Sequence, residues 1–379
     1  MAITQIPPRG IEPGARRINT QALIINGDMA VSQRGTSFTS NGYNVDRFTF
    51  DESTDGAVTV TQDSTVPSGQ GFGKSVKFDV TTADGTIGAD QYCQWTQFFE
   101  GQNLQLLKYG TSSAENLTLA FWVRSNKTGT YAVRFVKEAG GETRYECPIE
   151  YTISSSDTWE KKIINLSPTA GSTTLITNSA GAIVNSNASG YRIAWILASG
   201  SNKHGTNNTW VATSDRMGTT NQVNFLDNTS NELYITGIQL EVGEFDADTL
   251  PSFQYENYAE SLRRCHRYYY KLKNDSGAAG ECFWGNSMCD STTTLKGAIR
   301  YPQMRTKPSA FETTGSASDY RIWANGNNNI TCSAVPTFES QTSFCGRLLF
   351  TVASGLTAGD AAAYRSNTTD AYLAWSAEL

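Results

Sequence analysis

The sequence has only two histidines, His204 and His266, and none of its seven cysteines forms a Cys-x-x-Cys pair. Two histidines without neighbouring cysteines do not make a usual zinc site. A Ser-His-Asp triad would need one of them, yet no Gly-x-Ser-x-Gly elbow precedes a helical stretch. No catalytic residue is therefore assigned, and the chain is expected not to be an enzyme. A basic block is also lacking. Lys and Arg number 30 against 36 Asp and Glu, so the footprint of a nucleic-acid binder is absent. No apolar run is long enough to span a bilayer. The start, Met1 to Arg9, lacks the basic-then-apolar order of a secretory signal. Synthesis in a cytoplasm, without membrane insertion, is expected. That compartment favours free thiols, although Cys282 with Cys289, or Cys332 with Cys345, have spacings open to pairing across a hairpin.

What is present is a rhythm of short apolar runs separated by Gly, Ser, Thr and Asn. Charged residues are only 17% and glycines number 33, a balance that favours strands and turns over helices. Thr118–Ser125, Tyr131–Val136, Tyr191–Leu197 and Leu233–Leu240 alternate or run apolar at strand length. Strands at this density predict an all-β protein built as an antiparallel sandwich. Trp95, Trp122, Trp195 and Trp375 lie in apolar strands and are expected in cores.

Two stretches depart from that rhythm. Residues 1–22 form an arm with Pro7-Pro8, Pro13-Gly14, Arg9, Arg16 and Arg17, where proline rules out an ordinary helix or central strand. Over residues 257–271, Tyr258, Leu262, Cys265 and Tyr269 recur at helical spacing among Glu260, Arg263, Arg264 and Arg267. The β pattern then resumes, and Thr357–Arg365 reads as an Ala-rich turn or short helix. The expected layout is an arm over 1–22, a β-sandwich domain over 23–255, a linking helix over 256–275 and a smaller C-terminal β-sandwich domain over 276–379.

A series of phrases gives this layout a likeness. They run from Leu-Ile-Ile-Asn-Gly-Asp (23–28) and Ser-Gln-Arg-Gly (32–35) through Asp-Arg-Phe (46–48) and Leu-Ala-Phe-Trp-Val-Arg-Ser (119–125). Ile-Gln-Leu-Glu-Val-Gly (238–243), the Leu-x-x-Cys-x-Arg-Tyr-Tyr run (262–269), Met-Arg-Thr-x-Pro (304–308) and Gly-Leu-Thr-Ala-Gly-Asp-Ala-Ala-Ala (355–363) follow. Their order resembles phage virion proteins of the tail-fibre and surface-adhesin kind. The first half is similar to the jelly-roll, carbohydrate-binding-module-like domains of such fibres, the second to the small β domain that often follows them. The resemblance implies a non-enzymatic structural protein on the virion surface, made in the host cytoplasm. It implies a homotrimer, an arm docked to other virion proteins, and a tail-fibre or receptor-binding role toward host surface glycan. A capsid head decoration or cement protein and a polysaccharide depolymerase are the alternatives.

Two sets of residues are candidates for binding. Sugar rings stack on aromatic faces while amide and guanidinium groups take hydroxyls. Trp210 with Asn208, and Trp323 with Arg321, place a Trp among polar residues, although a core position is the plainer reading of each Trp, since buried Trp is common. Jelly-roll binding modules often carry a structural calcium ion held by oxygen ligands. Asp28, Asp46 and Glu241 lie in the shared phrases and are the candidate ligands; the plainer reading is a turn cap, an ion pair with Arg34 or Arg47, and a solvated side chain.

Overall fold

A computed structural model describes residues 21–138, 144–213, 215–275, 282–324 and 326–379. The expected N-terminal arm therefore lies almost entirely outside the described residues. The chain divides into two compact units, Met1–Ser261 with Leu379, and Leu262–Glu378.

Among the described residues, the first unit contributes thirteen strands: β1 (Ser37–Phe38), β2 (Gly42–Tyr43), β3 (Phe48–Glu52), β4 (Ala57–Asp63), β5 (Ser75–Thr82), β6 (Tyr92–Glu100), β7 (Leu117–Ser125), β8 (Gly129–Lys137), β9 (Tyr145–Ile153), β10 (Glu160–Leu166), β11 (Ser189–Ser199), β12 (Val211–Ala212) and β13 (Glu232–Val242). They form a six-stranded sheet, β1-β4-β5-β13-β7-β10, and a seven-stranded sheet, β12-β9-β8-β11-β6-β3-β2. The two sheets face each other as a jelly-roll-type sandwich. Rings bridge them: Trp95 of β6 meets Phe78 of β5 edge-on at 5.5 Å, and Trp195 of β11 meets Phe121 of β7 at 5.6 Å. Each such pair adds about 1 kcal/mol to the burial of its rings. Trp95 and Trp195 are core residues. Trp122 is only half-buried, because it follows the inward Phe121 and neighbours alternate sides along a strand.

One irregularity sets the register of β13. Gly237 takes φ +61°, and the pairing with β7 jumps from Thr236↔Trp122 to Gln239↔Ala120. This bulge lets both Ile235 and Ile238 enter the core, which strict alternation forbids.

Helix α1 spans Tyr258–His266. The Asn257 side chain caps it by accepting from Glu260 N at 2.9 Å. Glu260 in the first turn and Arg263, Arg264 and His266 in the last suit its dipole. The helix is shorter than the expected 256–275. Tyr269 to Lys273 is a strand that pairs with Tyr372–Ser376, because a run of three tyrosines favours a pleated surface with a partner. Of the anticipated apolar stripe, Cys265 is buried, Leu262 half-buried and Tyr258 exposed.

The second unit holds β14 (Tyr269–Lys273), β15 (Phe283–Cys289), β16 (Thr294–Arg300), β17 (Ala310–Thr313), β18 (Tyr320–Ala324), β19 (Asn327–Glu339), β20 (Cys345–Val352), β21 (Ala361–Ser366) and β22 (Tyr372–Ser376). Two facing sheets were expected. Instead six strands close into a barrel, β15-β16-β20-β19-β18-β21, with a three-stranded sheet, β14-β22-β17, beside it. Both arrangements alternate inward and outward residues in the same way, so the pattern does not tell them apart. Tyr364 fills the barrel, stacked on Phe350 at 5.0 Å with its hydroxyl donating to Ala298 O at 2.9 Å. The Ala-rich stretch is also a strand rather than a turn or helix. Pairing on both sides, with β15 and β18, overrides alanine's helical preference.

No disulfide joins the seven cysteines, all of which lie among the described residues. Cys282 and Cys289 bracket a single strand, roughly 20 Å of extended chain, well beyond disulfide reach. Cys332 pairs in register with Val352, at the opposite end of β20 from Cys345.

Candidate functional site

The loop that carries Asn207, Asn208 and Trp210 turns its indole inward. Trp210 is 1% exposed and donates from Nε1 to Ser167 O at 2.9 Å, so it offers no face to a ligand. Asn208, with φ +50°, is exposed and held by its backbone N–H on Pro148 O at 2.8 Å. Trp210 and Asn208 thus do not form the sugar platform that the sequence allows.

This loop nevertheless borders a polar cleft of about 820 Å³ on the first unit. The wall is built on the seven-stranded sheet. Arg134 of β8 and Glu146 of β9 form a fully buried ion pair, and Glu146 Oε2 also accepts from Arg216 N at 2.7 Å. Met217 packs on Ala132, Ala194 and Ile196, and Gly205 N donates to Gly218 O at 2.8 Å. These contacts fix residues 201–213 and 215–222 over the sheet. At the mouth, Glu150 Oε1 accepts from Asn221 Nδ2 at 3.1 Å and Oε2 from Asn207 Nδ2 at 3.4 Å. His204 sits in the same wall, its Nε2 3.0 Å from Ser199 O.

Trp323 is placed differently. On β18, Tyr320, Ile322 and Ala324 face into the barrel, so Arg321 and Trp323 face outward. Trp323 is 45% exposed and meets Phe283, 49% exposed, at 5.7 Å and 61°. The register explains the meeting. Phe283 and Arg321 both lie opposite Arg365 of β21, while Trp323 and Asn286 both lie opposite the small Ala363. The Arg365 guanidinium sits 5.7 Å from the centre of the Phe283 ring. Two open aromatic rings therefore share a face with Arg321 and the exposed Asn286. Phe283 and Asn286 were not singled out from sequence, because only barrel closure brings β15 alongside the β18 face.

The acidic candidates divide. Asp28 and Glu241 line one small cavity of about 20 Å³, together with Glu256. Burial raises the Asp28 carboxyl above its ordinary value, against a lowering hydrogen bond from Ala30 N. Glu241 is 3% exposed. Asp46 does not line this cavity. Its oxygens accept from Gln33 N at 2.7 Å and Gln33 Nε2 at 2.5 Å. Asp28 and Glu241 offer the hard oxygen donors that calcium takes, and Asp46 is committed elsewhere. Among the described residues, no group of three or more His, Cys, Asp or Glu side chains is arranged to hold a metal ion.

No family model matches the chain, and no curated protein matches it. Among solved structures it is similar to the enzymatically active domain of tailspike protein 4 from bacteriophage CBA120, with 13% identity and a TM-score of 0.32 over 58% of this chain. The match spans 21% of that tailspike domain. A family 11 carbohydrate-binding module from Clostridium thermocellum, in complex with a mixed-linked tetrasaccharide, shows 12% identity over 57% of this chain and 99% of its own, with a TM-score of 0.30. A tandem pair of family 22 modules from Paenibacillus barcinonensis shows 8% identity over 95% of this chain and 98% of its own, with a TM-score of 0.29.

Proposed function

We propose that this chain is a non-enzymatic structural protein of a bacteriophage virion, a tail-fibre or receptor-binding component that attaches to host surface glycan. The observation that carries the reading is the outward pair of Trp323 and Phe283 with Arg321 and Asn286 on the same barrel face. A half-exposed indole held by a neighbouring ring is a rigid platform for the C–H face of a sugar. Guanidinium and carboxamide groups beside it exchange hydrogen bonds with hydroxyls. The order of the sequence phrases set out above supports a virion setting, and with it a homotrimer docked through residues 1–22.

The test is adsorption of particles, and binding of purified protein to host surface polysaccharide, with Trp323→Ala. The platform is exposed, so the variant keeps its melting temperature. Binding falls about tenfold or more, as expected for loss of a stacking anchor. Wild-type binding in this variant would overturn the reading. Release of reducing sugar from the polysaccharide would replace it with a depolymerase.

A further inference from the structure

We infer that the sugar taken by the Trp323 face is acidic, a uronic-acid unit that lays its C–H face on the indole and its ring-edge carboxylate on Arg321. The inference rests on the platform reading above and adds the charge of the ligand to it.

A register is the first observation. Arg321 of β18 and Arg365 of β21 are direct cross-strand partners, and Phe283 of β15 lies opposite Arg365 on its other side. One row across three strands thus carries two guanidinium groups and a ring. Side chains paired in this way have Cβ atoms about 5 Å apart, and like charges so placed repel. The two arginines differ in reach. Arg365 is fully buried, its guanidinium 5.7 Å from the centre of the Phe283 ring, so it acts on a ligand through its field and not by touching it. Arg321 is half-buried, and Thr331 of β19, its partner on the other side, is exposed. Arg321 is therefore the cation within a ligand's reach.

The second observation concerns carboxylates. β15, β18 and β21 contain no Asp or Glu. Three acids stand at the strand ends among the described residues. Asp319, just before β18, accepts from Thr368 Oγ1 at 3.1 Å. Asp290, just after β15, pairs with Lys296 at 2.8 Å. Asp360 lies at the opposite end of β21 from Arg365. The charge built into the strands of this face is positive.

Spacing is the third. Trp323 and Arg321 are two residues apart on one strand, roughly 7 Å. A pyranose stacked on the indole carries its C5 substituent at the rim. A carboxylate there meets the guanidinium, whose planar fork holds both oxygens. In a neutral hexose the same position is a hydroxymethyl group, which gives the fork a single oxygen. The rings of Trp323 and Phe283 are inclined at 61°, so they grip one sugar by face and edge and do not form a flat bed for a straight chain. Asn286, across Ala363 from Trp323, is left for the ring hydroxyls.

The test uses the full chain and four small probes, the methyl glycosides of glucuronic and galacturonic acid and of their neutral parents, glucose and galactose. Affinities are read by NMR titration. At least one uronide binds about tenfold or more tightly than its parent. Raising sodium chloride from about 50 mM to about 0.5 M weakens the uronide and leaves the parent unmoved. Arg321→Gln erases the difference, and Arg321→Lys keeps part of it, because the charge stays and the fork is lost. Trp323→Ala weakens acid and parent alike. Equal affinity of the wild type for uronide and parent overturns the inference without any substitution, so a variant that folds poorly does not blunt the test. An undiminished difference in a folded Arg321→Gln overturns it too. In either case, weakening by Trp323→Ala shows that the platform itself stands. Binding of none of the four also overturns the inference and leaves the Trp323 reading to its own adsorption test.

Discussion

Arg305 donates from Nε to the carbonyl oxygen of Ala377 at 2.9 Å, and its Nη2 reaches the next carbonyl, that of Glu378, at 2.9 Å. Its own backbone N–H is bound to Arg267 O at 2.7 Å. Arg305 therefore ties the segment after β22, through its guanidinium, to Arg267, the residue that follows α1, through its backbone. Two hydrogen bonds from a charged donor are each worth about 1.5 kcal/mol or more. Arg305→Ala is expected to lower the stability of the second unit by about 2–3 kcal/mol in urea unfolding, and Arg305→Lys to recover only part, because one ammonium lacks the planar fork. Equal stability of all three proteins would show that the clamp adds nothing.

Gly237 offers a second test. Its φ of +61° is strained for any L side chain, and a Cβ there would run into the Phe72 ring and stand 3.0 Å from Trp122 Cδ1. Gly237→Ala is expected to destabilise the first unit by about 2–3 kcal/mol through strain and overpacking together. Thermal unfolding checks it, and a change under about half a kcal/mol would mean the bulge relaxes freely.

Glu52 gives the stability a pH dependence. Burial pushes its carboxyl up from 4.5 to about 7, opposed by a hydrogen bond from Cys93 and helped by the charge of Asp51. The folded state thus keeps the proton longer than the unfolded chain does. Its contribution to stability is fully present below pH 4.5, declines as pH rises, and is lost once pH passes about 7. Glu52→Gln, which cannot ionise, should remove that decline. The variant gains on the wild type at pH 8 relative to pH 5, and the gain is modest because the group is half-exposed. Parallel melting curves of the two proteins across this range would contradict it.

Chelation examines Asp28 and Glu241. Calcium takes six to eight oxygens, and Gln33 already occupies the carboxylate of Asp46. The expected outcome is an unchanged melting temperature with chelator. A fall on chelation, restored by calcium and absent in Asp28→Asn, would assign the cavity to a cation.

The sequence made the all-β architecture legible because its alternation has a period of two, and it located Trp95, Trp195 and Trp375 in cores for the same reason. Trp122 was misplaced by reading apolar character without parity: its neighbour Phe121 already pointed inward. The Ala361–Ser366 strand was hidden because alanine's preference is local, whereas its two strand partners are distant in sequence. Trp210 and Trp323 sit in similar polar surroundings along the chain, and only the fold separates a ring tied to Ser167 from one facing outward. The cleft had no local signal at all, since Glu150 and Asn221 lie 71 residues apart.

The position of β22 bears on the order of folding. It is the middle strand of its sheet, flanked by β14 and β17, so neither neighbour has a partner until residues 372–376 exist. Tyr269 waits for roughly a hundred residues of later synthesis before it meets Ser376. Barrel strand β15 likewise waits for β21 to close the ring. During translation the second unit therefore stays open, with unpaired strand edges, until its final segment emerges. A chain truncated before residue 372 leaves both β14 and β17 without the strand they share.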